Sequence, residues 1–293
     1  MTLFRIRIKL TSPIVTPLKG DTIWGHVVWG IANHEDEQAV ADFIKDCKEN
    51  AAFIISSAFP AGMVCKPIPE VTERLENLSP EDYTKIKQNK KIRYEKASLY
   101  FSGMDEIQTG NGKNQFKENI VTHNTISRLS NSVLDGGLYS VEEFWAREEN
   151  KLLDLYVLTS YSAKRVAELC EWAFENGFGA DSSIGKGQIE IHSAPLEVHT
   201  KLTGKKYMAL SPFVVSDLSA IQNLRADIFV RNGKIGGSFV SSHSPYKKTV
   251  VLYAEGAVFE SDKNLGYIGE ILGDIHSDSR IAQSAAAPVI PIE

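Results

Sequence analysis

Apolar and polar positions alternate from Leu3 to Leu10, and the polar positions in the middle of this run are basic. A period of two predicts a β-strand with one basic face. A helix is predicted from Asp21, which can act as its N-cap, to about Asn33, and an acidic helix from Glu35 to Lys48. The apolar run from Phe53 to Phe59 predicts a buried strand that ends at Pro60.

A second run of elements begins with the apolar stretch from Leu152 to Leu158, which predicts another strand. Apolar residues then recur at three- and four-residue steps, a spacing typical of an amphipathic helix from about Ser162 to Glu175, and Gly177 is placed to end it. A short strand is predicted from Gln188 to Ile191. The polar segment from about 70 to 120 precedes this run, and we interpret it as an insertion, a projecting hairpin.

The order strand, helix, strand, insertion, strand, helix, strand is that of a ferredoxin-like domain, which we assign to residues 1–195. Residues 196–293 are β-rich and fit a second, degenerate ferredoxin-like domain, although no internal repeat proves a duplication. The strands predicted there are Tyr207 to Leu210, Ala226 to Val230, Val250 to Ala254, Gly256 to Phe259 and Gly266 to Ile275. The predicted fold class is therefore α+β, with two ferredoxin-like (RRM-like) domains and a hairpin or thumb inserted in the first.

The charge of the chain is unevenly distributed around a net value of −5. The stretch from Thr200 to Lys248 has eight Lys and Arg against two Asp, and the stretch from Thr84 to Lys96 has six against one Glu. A protein that grips nucleic acid by bulk charge would be basic overall, so the composition argues against that class. The asymmetry fits a protein with one nucleic-acid-binding face. Taken alone, each basic stretch is explained equally well as an ordinary solvent-exposed surface.

The three cysteines, Cys47, Cys65 and Cys170, lie far apart in the sequence and have no CxxC spacing. They predict neither a disulfide framework nor a zinc site, and we expect no cofactor. The N-terminus lacks the apolar run of a signal peptide, and no stretch approaches the roughly 20 apolar residues of a membrane span. We therefore expect a cytoplasmic protein that does not contact a membrane.

The segment from Gly177 to Gly187 is the most informative for function, with four glycines in eleven residues. Glycine lets the backbone approach a ligand closely, and hydroxyl groups with a lysine can hold nucleic-acid phosphates. It is not a Walker loop, because its spacing differs and it leads from a helix into a strand. Taken alone, the segment is more simply explained as a flexible connection. The candidate RNA-binding residues here are Gly179, Ser182, Ser183, Gly185, Lys186 and Gly187.

Two other polar stretches carry side chains suited to RNA. The cluster from His123 to Arg128 can stack on bases, contact phosphate and read a base edge, and the basic, aromatic stretch from Ser241 to Lys248 can hold a strand by stacking and charge. An ordinary surface histidine and an exposed hairpin loop are the alternative interpretations. The candidate RNA-binding residues are His123, Asn124, Arg128, Tyr246, Lys247 and Lys248.

Catalysis has weaker support in the sequence. General acid–base cleavage of RNA needs a histidine paired with a second histidine, a lysine or a tyrosine. The fold can bring His26, His123, His192 and His243 together, but no metal-binding motif and no close DxD or HD pair is present. We predict no catalytic residues, and an RNA-binding protein rather than an enzyme.

Four motifs, in the right order along most of the chain, resemble those of RAMP-superfamily proteins of CRISPR systems. The closest resemblance is to the Cas-five-like subunit four of the type III-A (Csm) effector complex. The end of the chain, Ser279 to Ser284, only loosely resembles the family's aromatic-rich close. The matching motifs are Asp21 to Gly25, Ser56 to Pro60 with Lys66-Pro67, His123 to Arg128 with Gly137-Leu138-Tyr139, and Gly177 to Gly187.

The resemblance implies a non-catalytic subunit of an antiviral ribonucleoprotein that caps the 5′ handle of the CRISPR RNA. It also implies contacts with a large Cas-ten-type subunit and with the first backbone RAMP subunit, close to the target RNA. The insertion between about Lys90 and Asn119 would be a thumb-like hairpin that displaces a base. The alternative is a metal-independent CRISPR RNA processing endonuclease that uses His26 or His123, and the equivalent type III-B subunit is hard to separate by sequence.

Overall fold

The computed structural model describes residues 1–70, 80–104, 112, 116–147, 151–236 and 244–293. About 21% of the chain is helix and 40% is strand, in several antiparallel sheets. The helices are α1 (Gly20–His34), α2 (Glu37–Asn50), α3 (Pro80–Asn89) and α4 (Ala163–Phe174). The strands are β1 (Thr2–Leu10), β2 (Phe53–Ile55), β3 (Phe59–Pro60), β4 (Met63–Cys65), β5 (Tyr94–Lys96), β6 (Phe101–Ser102), β7 (Phe116–Ile126), β8 (Val133–Ala146), β9 (Leu152–Thr159), β10 (Ile189–Glu197), β11 (His199–Thr200), β12 (Lys206–Ala209), β13 (Gln222–Arg225), β14 (Ile228–Arg231), β15 (Val250–Tyr253), β16 (Val258–Glu260), β17 (Tyr267–Leu272) and β18 (Gln283–Pro291).

The first sheet has the order β10-β1-β9-β2, with every neighbouring pair antiparallel and β3 also paired with β9. Ile6 and Ile8 of β1 point to the face that α1 and α4 cover, and they join the largest hydrophobic core there. The order of strands and helices predicted for the first half is confirmed, but the strand predicted from Phe53 to Phe59 is divided into β2 and β3, and Pro60 lies within β3 instead of ending the strand. Its strand order is compatible with a ferredoxin-like sheet, whereas the count of two ferredoxin-like domains stays a prediction.

Two of the three basic residues of β1, Arg5 and Arg7, are buried, while Lys9 is exposed. Arg7 donates two hydrogen bonds to the carboxylate of Asp154, at 2.8 and 3.0 Å, and the backbone N–H of Gly62 donates a third at 2.7 Å. Phe101 stacks on Tyr156 beside them, with ring centroids 4.9 Å apart, and closes this side of the sheet. The alternating pattern predicted the strand correctly, but Arg5 and Arg7 form ion pairs with the buried Asp154 instead of a solvent-facing surface.

The second half is β-rich, as predicted. Its main sheet has the order β13-β16-β12-β18-β17, and β14 pairs with β15 beside it. Described residues 196–236 and 244–293 contain no α-helix, and a single 3-10 turn lies at Leu218–Ala220. The five strands predicted here are present, whereas β11, β13 and the long strand β18 were not predicted. The small residues and prolines of β18 have low β-propensity, so the sequence pattern does not predict a strand there. The strand packs against α1 and thereby joins the two halves.

The projecting hairpin lies further along the chain than predicted. Strands β7 and β8 pair over Phe116–Ala146, so the predicted segment of 70–120 overlaps only the start of β7. The described residues of that segment instead contain α3, β5 and β6. The sequence Asn-Gly-Lys-Asn at Asn111 to Asn114, which predicts a turn, falls mainly outside the described residues. Polar residues interrupt the alternation along β7, which explains why the pattern did not predict this strand.

Ion pairs also connect the two halves at the start of α1. Asp21, predicted as an N-cap, instead lies inside the helix, where its carboxylate accepts two hydrogen bonds from Arg231, at 2.7 and 2.9 Å. Lys19 occupies the N-cap position without a side-chain cap, and its Nζ lies 2.6 Å from the carboxylate of Glu255. The aspartate therefore fixes the second half against the first helix. In α2, Asp36 is the N-cap and accepts from the Ala39 N–H.

Candidate nucleic-acid interface

The glycine-rich segment closes on itself and on the N-terminal loop. The N–H of Phe178 donates to the carbonyl of Gly187, and the N–H of Gly187 donates to the carbonyl of Pro13, each at 2.8 Å. A Cβ on Gly187 would lie 2.1 Å from the carbonyl oxygen of Phe178, and one on Gly179 would lie 2.5 Å from Thr16. These two glycines are thus required by the packing of the loop itself, whether or not a ligand binds.

The exposed tip of this loop has a different geometry. Asp181 adopts a left-handed conformation, a 3-10 turn follows over Ser182–Ile184, and Gly185 leaves the turn with a φ of +89°. Ser183, Ile184 and Gly185 are exposed, and a Cβ on Gly185 would meet nothing within 4 Å. The N–H groups of Ile184 and Lys186 donate to the carbonyl of Asp181, and that of Gly185 donates to the carbonyl of Ser182, so these donors are used within the turn. The exposed side chain of Ser183 and the open position at Gly185 are therefore the parts of the tip that a phosphate can approach.

Lys186 connects this loop to the hairpin. Its Nζ lies 2.5 Å from Oε1 of Glu143 on β8, an ion pair by distance that lacks the alignment of a hydrogen bond. Glu143 is buried, and its other oxygen accepts a hydrogen bond from Nε1 of Trp145 at 3.2 Å. Glu143 was not predicted as a partner of Lys186, because the two residues lie far apart in the sequence. Part of the positive charge of Lys186 is consequently neutralised inside the protein.

The face of the hairpin that carries Glu143 continues to an aromatic pair. His123 on β7 lies opposite Tyr139 on β8, and the two rings are stacked with centroids 5.4 Å apart and planes 16° apart. Tyr139 is half exposed, and Nε2 of His123 is buried with no hydrogen-bond partner in the part of the chain that the structure describes. Four residues of strand separate Tyr139 from Glu143, about 13 Å. One surface therefore combines the loop tip, Lys186 and a stacked aromatic pair.

The other predicted residues of the hairpin lie at its far end. Asn124 is opposite Leu138, on the face turned away from His123, and Arg128 is exposed in the turn between the strands. The hairpin also exposes several apolar side chains that the sequence analysis did not single out, among them the fully exposed Leu129. A two-stranded ribbon with apolar residues exposed on both faces is typical of a segment that inserts between partners.

The third predicted cluster lies on the second half. Tyr246 and Lys248 are exposed, but Lys247 is largely buried and its Nζ donates to the carbonyl of Ala282 at 2.9 Å. Burial lowers the pKa of Lys247 to about 8, a shift that Asp21 opposes. Lys247 thus belongs to the Asp21–Arg231 junction, while Tyr246 and Lys248 keep surfaces that RNA can reach. Ser241, Ser242 and His243 lie outside the described residues.

His26 anchors the glycine-rich segment and was not predicted in that role. Its Nε2 accepts a hydrogen bond from the N–H of Gly179 at 3.2 Å, its ring packs on Phe178, and it also contacts the backbone of Ala173. Burial lowers the pKa of His26 to about 4, so the imidazole is neutral at physiological pH. Its interactions are those of a structural residue, which weakens its candidacy as a general acid or base.

Among the described residues, no group of three or more His, Cys, Asp and Glu side chains is arranged to hold a metal ion. All three cysteines are buried free thiols. No helix in the described ranges has the length and apolar character needed to cross a bilayer.

Comparison with known proteins gives a clear result for the fold alone. No protein-family model matches the chain, and no curated protein matches it in sequence. A structure of a Csm1–Csm4 cassette in complex with AMPPNP contains a chain that is 18% identical, with a TM-score of 0.60 over 99% of this chain and 98% of that chain. A Csm3–Csm4 subcomplex of a type III-A CRISPR-Cas interference complex contains a chain that is 13% identical, with a TM-score of 0.58 over 100% of both chains. Along its whole length, the protein is similar in structure to the Csm4 subunits of these complexes.

Proposed function

We propose that this protein is a non-catalytic, RNA-binding subunit of a type III-A CRISPR effector complex, which caps the 5′ handle of the CRISPR RNA. The observation that carries the proposal is the likeness to Csm4 chains across the full length of both proteins. Full coverage includes the hairpin, the glycine-rich segment and the second half, rather than one common domain. In this proposal both halves are RRM-like, and the protein acts in antiviral defence in the cytoplasm.

The geometry of the interface supports RNA as the ligand. Single-stranded RNA is bound by stacking of bases on aromatic side chains and by contacts to phosphates. The half-exposed ring of Tyr139, held by His123, supplies a stacking surface, and the exposed Ser183 and Gly185 let a phosphate approach the loop tip. The net charge of −5 makes such local contacts more important than bulk attraction.

The neighbouring structures also support a bridging role. One contains Csm4 with Csm1 and another contains Csm4 with Csm3. By analogy, this chain would contact a large Cas-ten-type subunit and a backbone RAMP subunit, with target RNA nearby. The exposed apolar residues of the hairpin, such as Ile120, Leu129 and Leu138, suit a segment that is covered in an assembly.

A scaffold role, rather than cleavage, is favoured by the histidine geometry. A general base needs a free nitrogen and a pKa near the working pH. In His26 the Nε2 atom already accepts from Gly179, and its pKa is about 4. In His123 the Nε2 atom is buried behind the Tyr139 stack.

The proposal is tested by purifying the tagged protein from cells that express the other subunits and a CRISPR array, and sequencing the bound RNA. We expect CRISPR RNAs with one defined 5′ end, together with the large and backbone subunits. Recovery of the subunits with random RNA would contradict the capping role. Incubation of the purified chain with repeat RNA in EDTA is the second arm, in which specific cleavage abolished by His123→Ala would favour the endonuclease instead.

A further inference from the structure

A cavity of about 380 Å³ lies at the junction of the two halves, and neither the glycine-rich segment nor the hairpin lines it. Its inner wall is aliphatic and includes Val258 and Ile292, which are almost completely buried. Leu99 and Leu202 extend this apolar wall towards the surface. Cavities of this volume accept small ligands or one or two large side chains. Its contents would therefore be mainly apolar.

The mouth of the cavity holds a carboxylate between two cations. Oε1 of Glu70 lies 3.0 Å from Nη1 of Arg225 and 3.4 Å from Nζ of Lys206. The hydrogen bond from Arg225 is the main cause that lowers the pKa of Glu70. The side chain of Glu70 is 60% exposed, so these ion pairs contribute little to stability and are readily exchanged.

Arg225 retains an unused donor at this site. Its Nε is buried and has no hydrogen-bond partner among the described residues, although its Nη1 reaches Glu70. A guanidinium presents its N–H groups in a planar fork that binds a carboxylate through two oxygens. Two other polar side chains line the cavity, and neither is placed to donate a hydrogen bond to an incoming acid. Glu293 is itself acidic, and the Tyr100 hydroxyl already donates to Glu95 at 2.7 Å. Glu70 therefore occupies a carboxylate-binding site, and the carboxylate of a ligand that pairs better with Arg225 can displace it.

We propose that this cavity binds a peptide segment of a partner protein in which an acidic side chain neighbours a large aliphatic one. The aliphatic side chain enters the apolar interior, and the acid displaces Glu70 from Arg225 and Lys206. A nucleobase fits less well, because the wall is aliphatic and the one ring in it, Tyr100, is almost buried. The charged mouth of the cavity faces solvent, so the rest of the peptide can extend from it along the protein surface. This inference does not depend on the RNA-binding role.

Fluorescence anisotropy with the full-length protein tests the inference. The probe is a fluorescein-labelled, amidated pentapeptide of sequence Ser-Leu-Glu-Ile-Ser, and the matched probe has Gln in place of Glu. We expect saturable binding of the Glu peptide and roughly fivefold weaker binding of the Gln peptide, the ratio that one exposed ion pair supplies. Equal affinity for both peptides, or no saturable binding of either, would overturn the inference.

Three variants locate the site. Glu70→Gln removes the internal competitor and is expected to tighten binding of the Glu peptide, whereas Arg225→Gln is expected to weaken it. Lys205→Gln is the control, because Lys205 is adjacent to Lys206 in sequence but pairs with Asp262 at the surface. Urea unfolding checks that each variant is folded. If Arg225→Gln does not fold, the binding measured for Glu70→Gln decides the result. Unchanged or weaker binding by Glu70→Gln, or displacement of the peptide by a single-stranded RNA oligonucleotide, would contradict the proposal.

Discussion

Lys186 of the glycine-rich segment and Glu143 of the hairpin form an ion pair with an N–O distance of 2.5 Å, in which the carboxylate is 1% exposed and the lysine 20% exposed. The two residues are separated by strand β9, helix α4 and the start of the loop, so this contact fixes the hairpin relative to the loop. Lys186 was predicted to hold RNA phosphates. Its pairing with Glu143 gives it a structural role as well, and the two roles have separable consequences.

Replacement of Lys186 by Gln is expected to destabilise the protein, because it leaves the buried Glu143 carboxylate without its cation. The expected loss is roughly 2 kcal/mol in the free energy of unfolding. The double variant Lys186→Gln with Glu143→Gln is expected to recover at least half of this loss. Urea unfolding measures both values, and Lys205→Gln, at an exposed ion pair, is the control that should not change the midpoint. Additive effects of the two substitutions would contradict a direct coupling.

Tyr139→Ala is expected to weaken binding of single-stranded RNA by about tenfold without changing stability, since a stacked base contributes about 1–3 kcal/mol. The ring is 53% exposed, so its removal leaves no large cavity. Anisotropy with a labelled repeat-derived RNA measures the effect. Tyr267→Ala on β17 is the matched control, with a ring that is 39% exposed in the second sheet. An equal loss in both variants would show that Tyr139 has no specific part in binding.

The sequence predicted most of the elements because their hydrophobic periods are regular. The helix predicted from about Ser162 to Glu175 agrees to within one residue with α4, whose N-cap is Ser162, although its C-cap is Glu175 and not Gly177. The hairpin was misplaced because its strands carry polar and apolar residues on both faces, a pattern that a packed strand does not have. Strand β18 was missed because Ala285 to Pro288 has low β-propensity, and its pairing with β17 and β12 and its packing against α1 are tertiary contacts that a local pattern does not show.

The candidate site was predicted only in part, because a local sequence pattern identifies a segment but not the residues that it contacts. Glycine spacing identified the loop, but it did not distinguish Gly187, which packs against Phe178, from Gly185, which is open. Lysine in a basic stretch was interpreted as surface charge, whereas Lys247 is buried at a junction that forms only in three dimensions. Partners more than a hundred positions apart, such as Asp21 and Arg231, leave no signal in one sequence.

Asp21→Asn is expected to destabilise the protein by about 3 kcal/mol, because it leaves Arg231 beside the buried lysine without a balancing charge. The change should also weaken the attachment of β14 to the first helix. Thermal unfolding and hydrogen exchange of β14 measure the two effects. Asp262→Asn is the control, because its partner Lys205 is exposed and no shift in unfolding temperature is expected. Equal behaviour of the two variants would contradict an interdomain role for Asp21.

Stability is expected to fall on acidification because His26 is buried in its neutral form. The folded pKa of about 4 lies below the ordinary histidine pKa of 6.5, so the unfolded chain binds more protons between these values. The free energy of unfolding should therefore rise with pH from 4 to 6.5, by about 3 kcal/mol in total from this residue. Urea unfolding of the wild type and of His26→Gln measures the difference, and His192→Gln, at an exposed position, is the control. A wild-type slope retained in His26→Gln would assign the effect to other groups.

The most direct test of the central claim is equilibrium binding of the purified protein to two RNAs of equal length and composition. One carries the repeat-derived 5′ handle of a CRISPR RNA, and the other carries the same nucleotides in scrambled order. Tighter binding of the handle RNA, reduced by Tyr139→Ala and unaffected by Tyr267→Ala, is the result that we predict. Equal affinity for both RNAs, or no binding to either in the presence of the large and backbone subunits, would contradict a role in capping the CRISPR RNA.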